Sequence, residues 1–215
     1  GQSIESSGVE NWIGTKNITG ENLAKDLEAH VRAYESADFV VTTGVKVKSV
    51  AQKGKNFTVT DNADKTYETQ AVLVATGAER RKLTVPGAKE FEHKGITYCA
   101  TCDGPLFADQ DVVVIGGGNA AFETAAQLAA YCTSVTMLNR SNTFRADEIT
   151  IEKIKQNPKV KIITNAGLQE VKGDKFVTSL VYKDTKIGET RELKTEGVFV
   201  EIGLVPTTYF VKDLV

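Results

Sequence analysis

Residues 111–121 read DVVVIGGGNAA, and no other stretch of the chain restricts its fold as tightly. The unbroken apolar run Val112–Ile115 suits a strand buried on both faces better than an alternating, half-exposed one. It leads directly into Gly116-x-Gly118-x-x-Ala121, the spacing of a dinucleotide-binding turn. The first glycine permits the tight turn, the second lets backbone approach a pyrophosphate, and small Ala121 lets the following helix pack against the strand. The N-terminus of that helix offers N–H groups and a positive dipole end to the phosphates. Ala121, Phe122, Ala125, Leu128, Ala129 and Cys132 recur on one helical face, and a strand at Ser134–Leu138 completes a β–α–β unit. The pattern predicts an α/β fold built on a parallel sheet.

The choice between dinucleotides is ordinarily made just past the second strand, here Asn139-Arg140-Ser141-Asn142-Thr143-Phe144-Arg145. An acid at that point would hold a ribose diol and favour NADH, whereas guanidinium groups would pair with a 2′-phosphate. Asn139 supplies no carboxylate, so Arg140 and Arg145 favour NADPH, with plain solvated surface charge as the alternative.

Upstream lies Tyr98–Phe107, YCATCDGPLF. The Cys99-x-x-Cys102 spacing lets a thiolate and its neighbour close a small disulfide, and adjacent Asp103 can move a proton. A zinc site needs four ligands, and Cys132, His30 and His93 form no second ligand pair, so no metal is expected. Two buried, inert cysteines are the other alternative. Next to a nucleotide site, dithiol redox chemistry is the favoured reading. Cys132, on the apolar helix face, reads as core, and His30 and His93 stand outside every motif.

The 215 residues allow one large domain or two small ones. A net charge of −2 gives no basic footprint for nucleic acid. No apolar run reaches the ~20 residues needed to span a bilayer, and no signal-peptide pattern opens the chain. The three cysteines are too few for a secreted disulfide scaffold, and the expected location is cytoplasmic. The irregular opening gives way to Gly20–Glu35, which places Leu23, Leu27, Val31 and Tyr34 at helical spacing. Strand-like runs follow at 39–43, 45–50, 57–60 and 67–70, then a continuous apolar strand at Ala71–Ala75 with a tight exit through Thr76-Gly77. Beyond the β–α–β unit, a helix is expected at 147–156 and strands at 160–164, 168–171, 176–182 and 197–202. Residues 67–78, YETQAVLVATGA, align without gaps with 193–204, LKTEGVFVEIGL, and residues 39–50 match 160–171 at a similar offset. Two related dinucleotide-binding units in series are therefore expected, with the phosphate loop of the first lying before residue 1 and the chain trimmed at both ends.

Taken together, YCATCDGPLF, VVVIGGGNAAFETA, VLVATGA and GVFVEIGLVP resemble the low-molecular-weight thioredoxin reductases and the flavoprotein subunit of alkyl hydroperoxide reductase, within the pyridine nucleotide-disulfide oxidoreductases. The resemblance runs along essentially the whole chain. It implies a partial FAD-binding domain over residues 1–80, an inserted NADPH-binding domain over 81–205 and a return to the FAD domain over 206–215. It further implies that Cys102 faces the flavin, Cys99 exchanges with a partner disulfide and Asp103 donates protons. Gly116, Gly118, Asn119, Ala121 and Glu123 would hold the nicotinamide dinucleotide, Arg140 and Arg145 its 2′-phosphate, and Ile202 and Gly203 would close over it. Gln2, Asn11, Ala75, Thr76 and Gly77 would touch FAD. The implied activity is flavin-dependent transfer of electrons from NADPH through FAD and the dithiol to a thioredoxin-like protein disulfide, in a homodimer whose two domains rotate during turnover. The alternatives are a reductase feeding a peroxidase and a truncated nucleotide-binding fragment without turnover. Two departures stand out: Asn139-Arg140-Ser141 replaces the His-Arg-Arg usual in thioredoxin reductases, and Thr207 replaces the usual Asn after Pro206.

Overall fold

The structure is a computed structural model that describes residues 2–5, 8–10 and 12–214. The chain divides into two compact units, Gly1–Glu79 with Leu204–Val215, and Arg80–Gly203. No helix among the described residues is long and apolar enough to cross a membrane.

In the first unit, helix α1 (Gly20–Arg32) starts where Thr19 caps it, its Oγ1 accepting the Asn22 N–H at 3.2 Å. Strands β1 (Val47–Lys53), β2 (Asn56–Asp61) and β3 (Thr66–Thr69) form an antiparallel meander. Buried Asp61 closes the β2–β3 turn by accepting the Ala63 and Lys65 N–H groups. Two expectations fail here. The segments 39–43 and 71–75 are not strands. A parallel strand exists through the ladder it shares with its neighbours, and among the described residues none pairs with either segment. The apolar face of α1 is correspondingly uncovered: Leu23 is buried, whereas Leu27, Val31 and Tyr34 are exposed. The helix also ends at Arg32, short of Glu35.

The chain leaves this unit through β4 (Ala78–Arg80). In the second unit, β5 (Ile96–Thr97), helix α2 (Ala100–Asp103), β6 (Asp111–Ile115), helix α3 (Asn119–Leu128), β7 (Ser134–Leu138), helix α4 (Glu148–Lys155) and β8 (Val160–Ile163) follow in order. Then come an antiparallel meander, β9 (Ala166–Gly173), β10 (Val177–Asp184) and β11 (Thr190–Lys194), and finally β12 (Gly197–Val200). A last strand, β13 (Leu204–Pro206), forms a two-stranded ribbon with β4. Helix α4 and strands β6, β7, β8, β9, β10 and β12 fall where the hydrophobic periodicity puts them, give or take a residue or two at the ends. The short β5 and exposed β11 carry too little pattern to be read.

The main sheet has the order β5-β12-β6-β7-β8, all parallel. Alternation along each strand divides its side chains between two cores. Val112, Val114, Val135, Met137 and Phe199 face α3 and α4, meeting Ala121, Phe122, Ala125 and Leu128. Val113, Ile115, Leu138, Val198 and Val200 face the meander, meeting Val171, Val177 and Leu180. This unit is thus a three-layer, Rossmann-like α/β domain. Cys132 is buried in the helical layer, and burial pushes its thiol pKa up. His30 and His93 are both exposed.

Candidate functional site

Cys99 and Cys102 are joined in a disulfide. Helix α2 is its scaffold: Cys99 is the N-cap in extended conformation, and its Sγ accepts the backbone N–H of Cys102 at 3.2 Å. Thr97, buried at the end of β5, donates its hydroxyl hydrogen to Asp103 Oδ2 while its Oγ1 accepts the Cys99 N–H at 3.3 Å. One hydroxyl therefore links the acid to the first cysteine. The turn is fixed from beneath by Ala100 and Phe107, which pack into the core under α3. The Phe107 ring meets Phe199 edge-on at 5.2 Å. Cys99 is half-buried and Cys102 exposed. Burial raises the phenol pKa of neighbouring Tyr98.

The glycine turn rests on the same core. A Cβ on Gly116 would lie 2.3 Å from the carbonyl oxygen of Glu201 and 2.9 Å from the Ala121 Cβ, at a φ of +154°. A Cβ on Gly117 would lie 2.4 Å from Asn139 Oδ1. A side chain at Gly116 would displace backbone or the helix and one at Gly117 would displace the Asn139 side chain, which accounts for the glycines and for small Ala121. Gly118 is the N-cap of α3 and no side chain caps the helix, in contrast to Thr19 on α1. An uncapped helix start behind a backbone-lined turn fits a phosphate group. Past β7, Asn139 is buried, and its Nδ2 donates to the carbonyls of Ser141 and Thr143 at 3.0 and 2.8 Å. The Arg145 N–H donates to the Gly117 carbonyl at 2.7 Å, and Asn119 Oδ1 accepts the Asp147 N–H at 2.8 Å. The 139–147 loop is thereby folded onto the turn.

A family model described as pyridine nucleotide-disulphide oxidoreductase matches residues 1–214. The chain belongs to that family. Over all 215 residues it is 37% identical to the F subunits of the alkyl hydroperoxide reductases of Staphylococcus epidermidis and Staphylococcus aureus, and it spans 42% of the length of each. Its fold superposes on the crystal structure of Lactococcus lactis thioredoxin reductase in the FR conformation with a TM-score of 0.81 at 34% identity, covering 100% of this chain and 69% of that one. T. acidophilum thioredoxin reductase gives 0.76 at 36% identity, covering 99% and 68%.

Within the second unit the dinucleotide candidates fall in one place. Gly116, Gly118, Asn119 and Ala121 form the turn and the first turn of α3, and Glu123 is exposed on the same helix. Arg140 and Arg145 are exposed on the folded loop, and neither forms an ion pair among the described residues. Ile202 packs at the margin of the core shared with the meander, and the Gly203 carbonyl accepts the Arg81 N–H at 2.9 Å.

The flavin candidates are not assembled among the described residues. Gln2 belongs to a 3-10 turn whose side-chain placement there is not described, and Asn11 lies outside the described residues. Ala75, Thr76 and Gly77 are exposed, the Thr76 hydroxyl donates to the Thr207 carbonyl at 2.8 Å, and a Cβ on Gly77 would meet nothing within 4 Å. Without a paired strand beneath it, this turn has no cradle, so the described residues do not fit FAD.

Sequence reasoning missed three residues next to these sites. Thr97, two residues before the first cysteine, gave no signal of its own, and neither did Thr124 on α3. Glu201 did, being a lone charge in the apolar run GVFVEIGLVP, and such a residue calls for a partner. It has two: Thr124 Oγ1 donates to its Oε1 at 3.0 Å and Arg80 Nη1 to its Oε2 at 2.9 Å. Burial is the main influence on this carboxyl and raises its pKa against the opposing pull of Arg80.

Proposed function

We propose that this chain carries the nicotinamide and dithiol functions of a flavin-dependent disulfide reductase of the thioredoxin reductase type. The observation that carries the reading is the position of the Cys99–Cys102 disulfide and the uncapped glycine turn on one core, in a chain of this family. The overall reaction balances as NADPH, a proton and a protein disulfide giving NADP⁺ and two protein thiols. A bound nicotinamide dinucleotide would supply the hydride. Gly116 and Gly118 admit its pyrophosphate to the α3 N-terminus, and Arg140 and Arg145 attract its 2′-phosphate. Asn139 stabilises the loop that carries both arginines.

Once reduced, Cys99 attacks a sulfur of the partner disulfide, Cys102 resolves the mixed disulfide, and the partner leaves as a dithiol. Asp103, oriented by Thr97, is the group placed to protonate the departing thiolate. The partner is a thioredoxin-like protein in the cytoplasm, and the enzyme works as a homodimer whose nicotinamide-bearing domain, about residues 81–205, rotates against the rest.

Chemically reduced chain mixed with an oxidised thioredoxin-like protein tests the dithiol assignment. Wild type should pass one pair of electrons to each partner, counted as partner thiols. Cys99→Ser should transfer nothing, and Cys102→Ser should stall as a mixed disulfide. Full transfer by both variants would overturn the assignment.

A second reading, delivery of electrons to a peroxidase, is favoured by the identity to the hydroperoxide reductase subunits. Faster reduction of a peroxidase disulfide than of a thioredoxin-like one would select it. The visible spectrum separates both from a nucleotide-binding fragment without turnover: a flavin band that bleaches with NADPH shows a working reductase, and a colourless chain that binds NADPH shows a chain without its flavin.

A further inference from the structure

The residue after the second strand of a dinucleotide fold ordinarily reads the adenine ribose with its own side chain, an acid there accepting the ribose hydroxyls. Asn139 holds that position after β7, but it is not free to act as a ribose ligand. Its main chain is fixed on both sides, the N–H donating to the Ile163 carbonyl at 2.9 Å and the carbonyl accepting the Ala166 N–H at 3.0 Å. The residue is 6% exposed, and its carboxamide is turned into its own loop. Nδ2 donates to the Ser141 and Thr143 carbonyls and shares the Ser141 Oγ at 3.2 Å, and that hydroxyl donates in turn to the Thr143 carbonyl at 2.7 Å. An amide NH2 has two hydrogens, and the loop uses both.

This closure fixes where the two arginines stand. Arg140 follows the clamped residue directly, and Arg145 returns to the glycine turn, where its N–H meets the Gly117 carbonyl and its main chain bridges to Gly118. Both ends of the loop are thus anchored by backbone, and between them Asn139 and Ser141 set its shape. We infer that Asn139, together with Ser141, is a specificity-determining positioning residue, which selects the 2′-phosphorylated dinucleotide through the shape of the arginine loop and without touching the ribose. A carboxylate of the same size has no hydrogen to donate and would face the carbonyl oxygens of Ser141 and Thr143. An acid at this position therefore opens the loop and does not recruit NADH. The inference rests on the reading of the glycine turn and arginine loop as the dinucleotide site.

Equilibrium binding of NADPH, NADH and 2′,5′-ADP to the full chain tests this, because loss of selectivity differs from loss of fold. Asn139→Ala should weaken NADPH and 2′,5′-ADP about tenfold, the size expected for one or two neutral hydrogen bonds, and leave NADH unchanged. Ser141→Ala, at an exposed position, removes only the hydroxyl link and should weaken the same two probes about threefold. Asn139→Asp should weaken them at least as much as Asn139→Ala does, with no gain for NADH. Circular dichroism would confirm that each variant is folded. A rise in NADH affinity in Asn139→Asp would overturn the inference, since the side chain would then reach the ribose. Equal weakening of NADPH and NADH in Asn139→Ala and Ser141→Ala would also overturn it, and so would unchanged NADPH affinity in both. Wild type that binds neither dinucleotide would overturn the dinucleotide site itself.

Discussion

Leu73 and Phe199 occupy equivalent positions in the two copies of an internal repeat, AVLVATG and GVFVEIG, yet Leu73 is 92% exposed and Phe199 1%. The surrounding designs also match: each copy places an antiparallel three-stranded meander before the apolar run and a glycine of positive φ after it, Gly77 at +64° and Gly203 at +95°. What differs is the neighbours. Strand β12 lies between β5 and β6, so its backbone is paired on both edges and its side chains reach both cores. Residues 71–75 have no pairing partner among the described residues. The same apolar pattern is therefore a core strand in one copy and bare chain in the other. Hydrophobic sequence specifies a buried strand only through the ladder that receives it.

The comparison is tested most strongly by truncating the two equivalent side chains. Phe199→Ala should destabilise the second unit by about 3–5 kcal/mol, since it empties a site packed against Phe107 and the α3 layer. Leu73→Ala should change stability by less than about 0.5 kcal/mol. Urea unfolding of the full chain measures both. Comparable losses would show that residues 71–75 are packed in solution and that the two copies are alike.

A smaller contrast concerns the glycines. Gly116→Ala drives a Cβ into the Glu201 carbonyl and should cost about 2–3 kcal/mol and abolish NADPH binding. Gly77→Ala meets open space, so its cost is only the left-handed backbone, about 1 kcal/mol, with NADPH binding intact. Isothermal titration of both variants reads the difference, and retained NADPH binding in Gly116→Ala would remove the turn from the site.

The parts of this architecture that sequence makes visible are those whose causes are local. Strand β6, its glycine turn and α3 are contiguous, and the six residues assigned to one helical face from Ala121 to Cys132 are all buried. The Cys99–Cys102 disulfide needs only its own turn. Exposure of the α1 face was not legible, because Leu27 and Val31 have the periodicity of a core face whether or not anything covers it. Nor was the role of Asn139, read as a ribose position lacking its acid, but holding a loop through Ser141 and Thr143. The Arg80–Glu201 pair joins residues 121 apart in sequence. Nothing short of the folded sheet brings them together.

That pair provides the smallest contrast between the copies, since the position of Glu201 is held in the first copy by uncharged Ala75. Burial raises the Glu201 pKa in the folded protein. Between the ordinary glutamate value of about 4.3 and its own raised value, the folded state keeps a proton that the unfolded chain has released. Stability from this group is thus complete below the ordinary value and declines as pH rises through the raised one. Thermal unfolding across that window should show a shallower pH slope in Glu201→Gln than in wild type. Arg80→Ala should extend the decline to higher pH, because the opposing charge that lowers the carboxyl pKa is gone. Superimposable slopes in all three proteins would mean that Glu201 is solvated as an ordinary surface carboxylate, and the two copies would then differ in pairing alone.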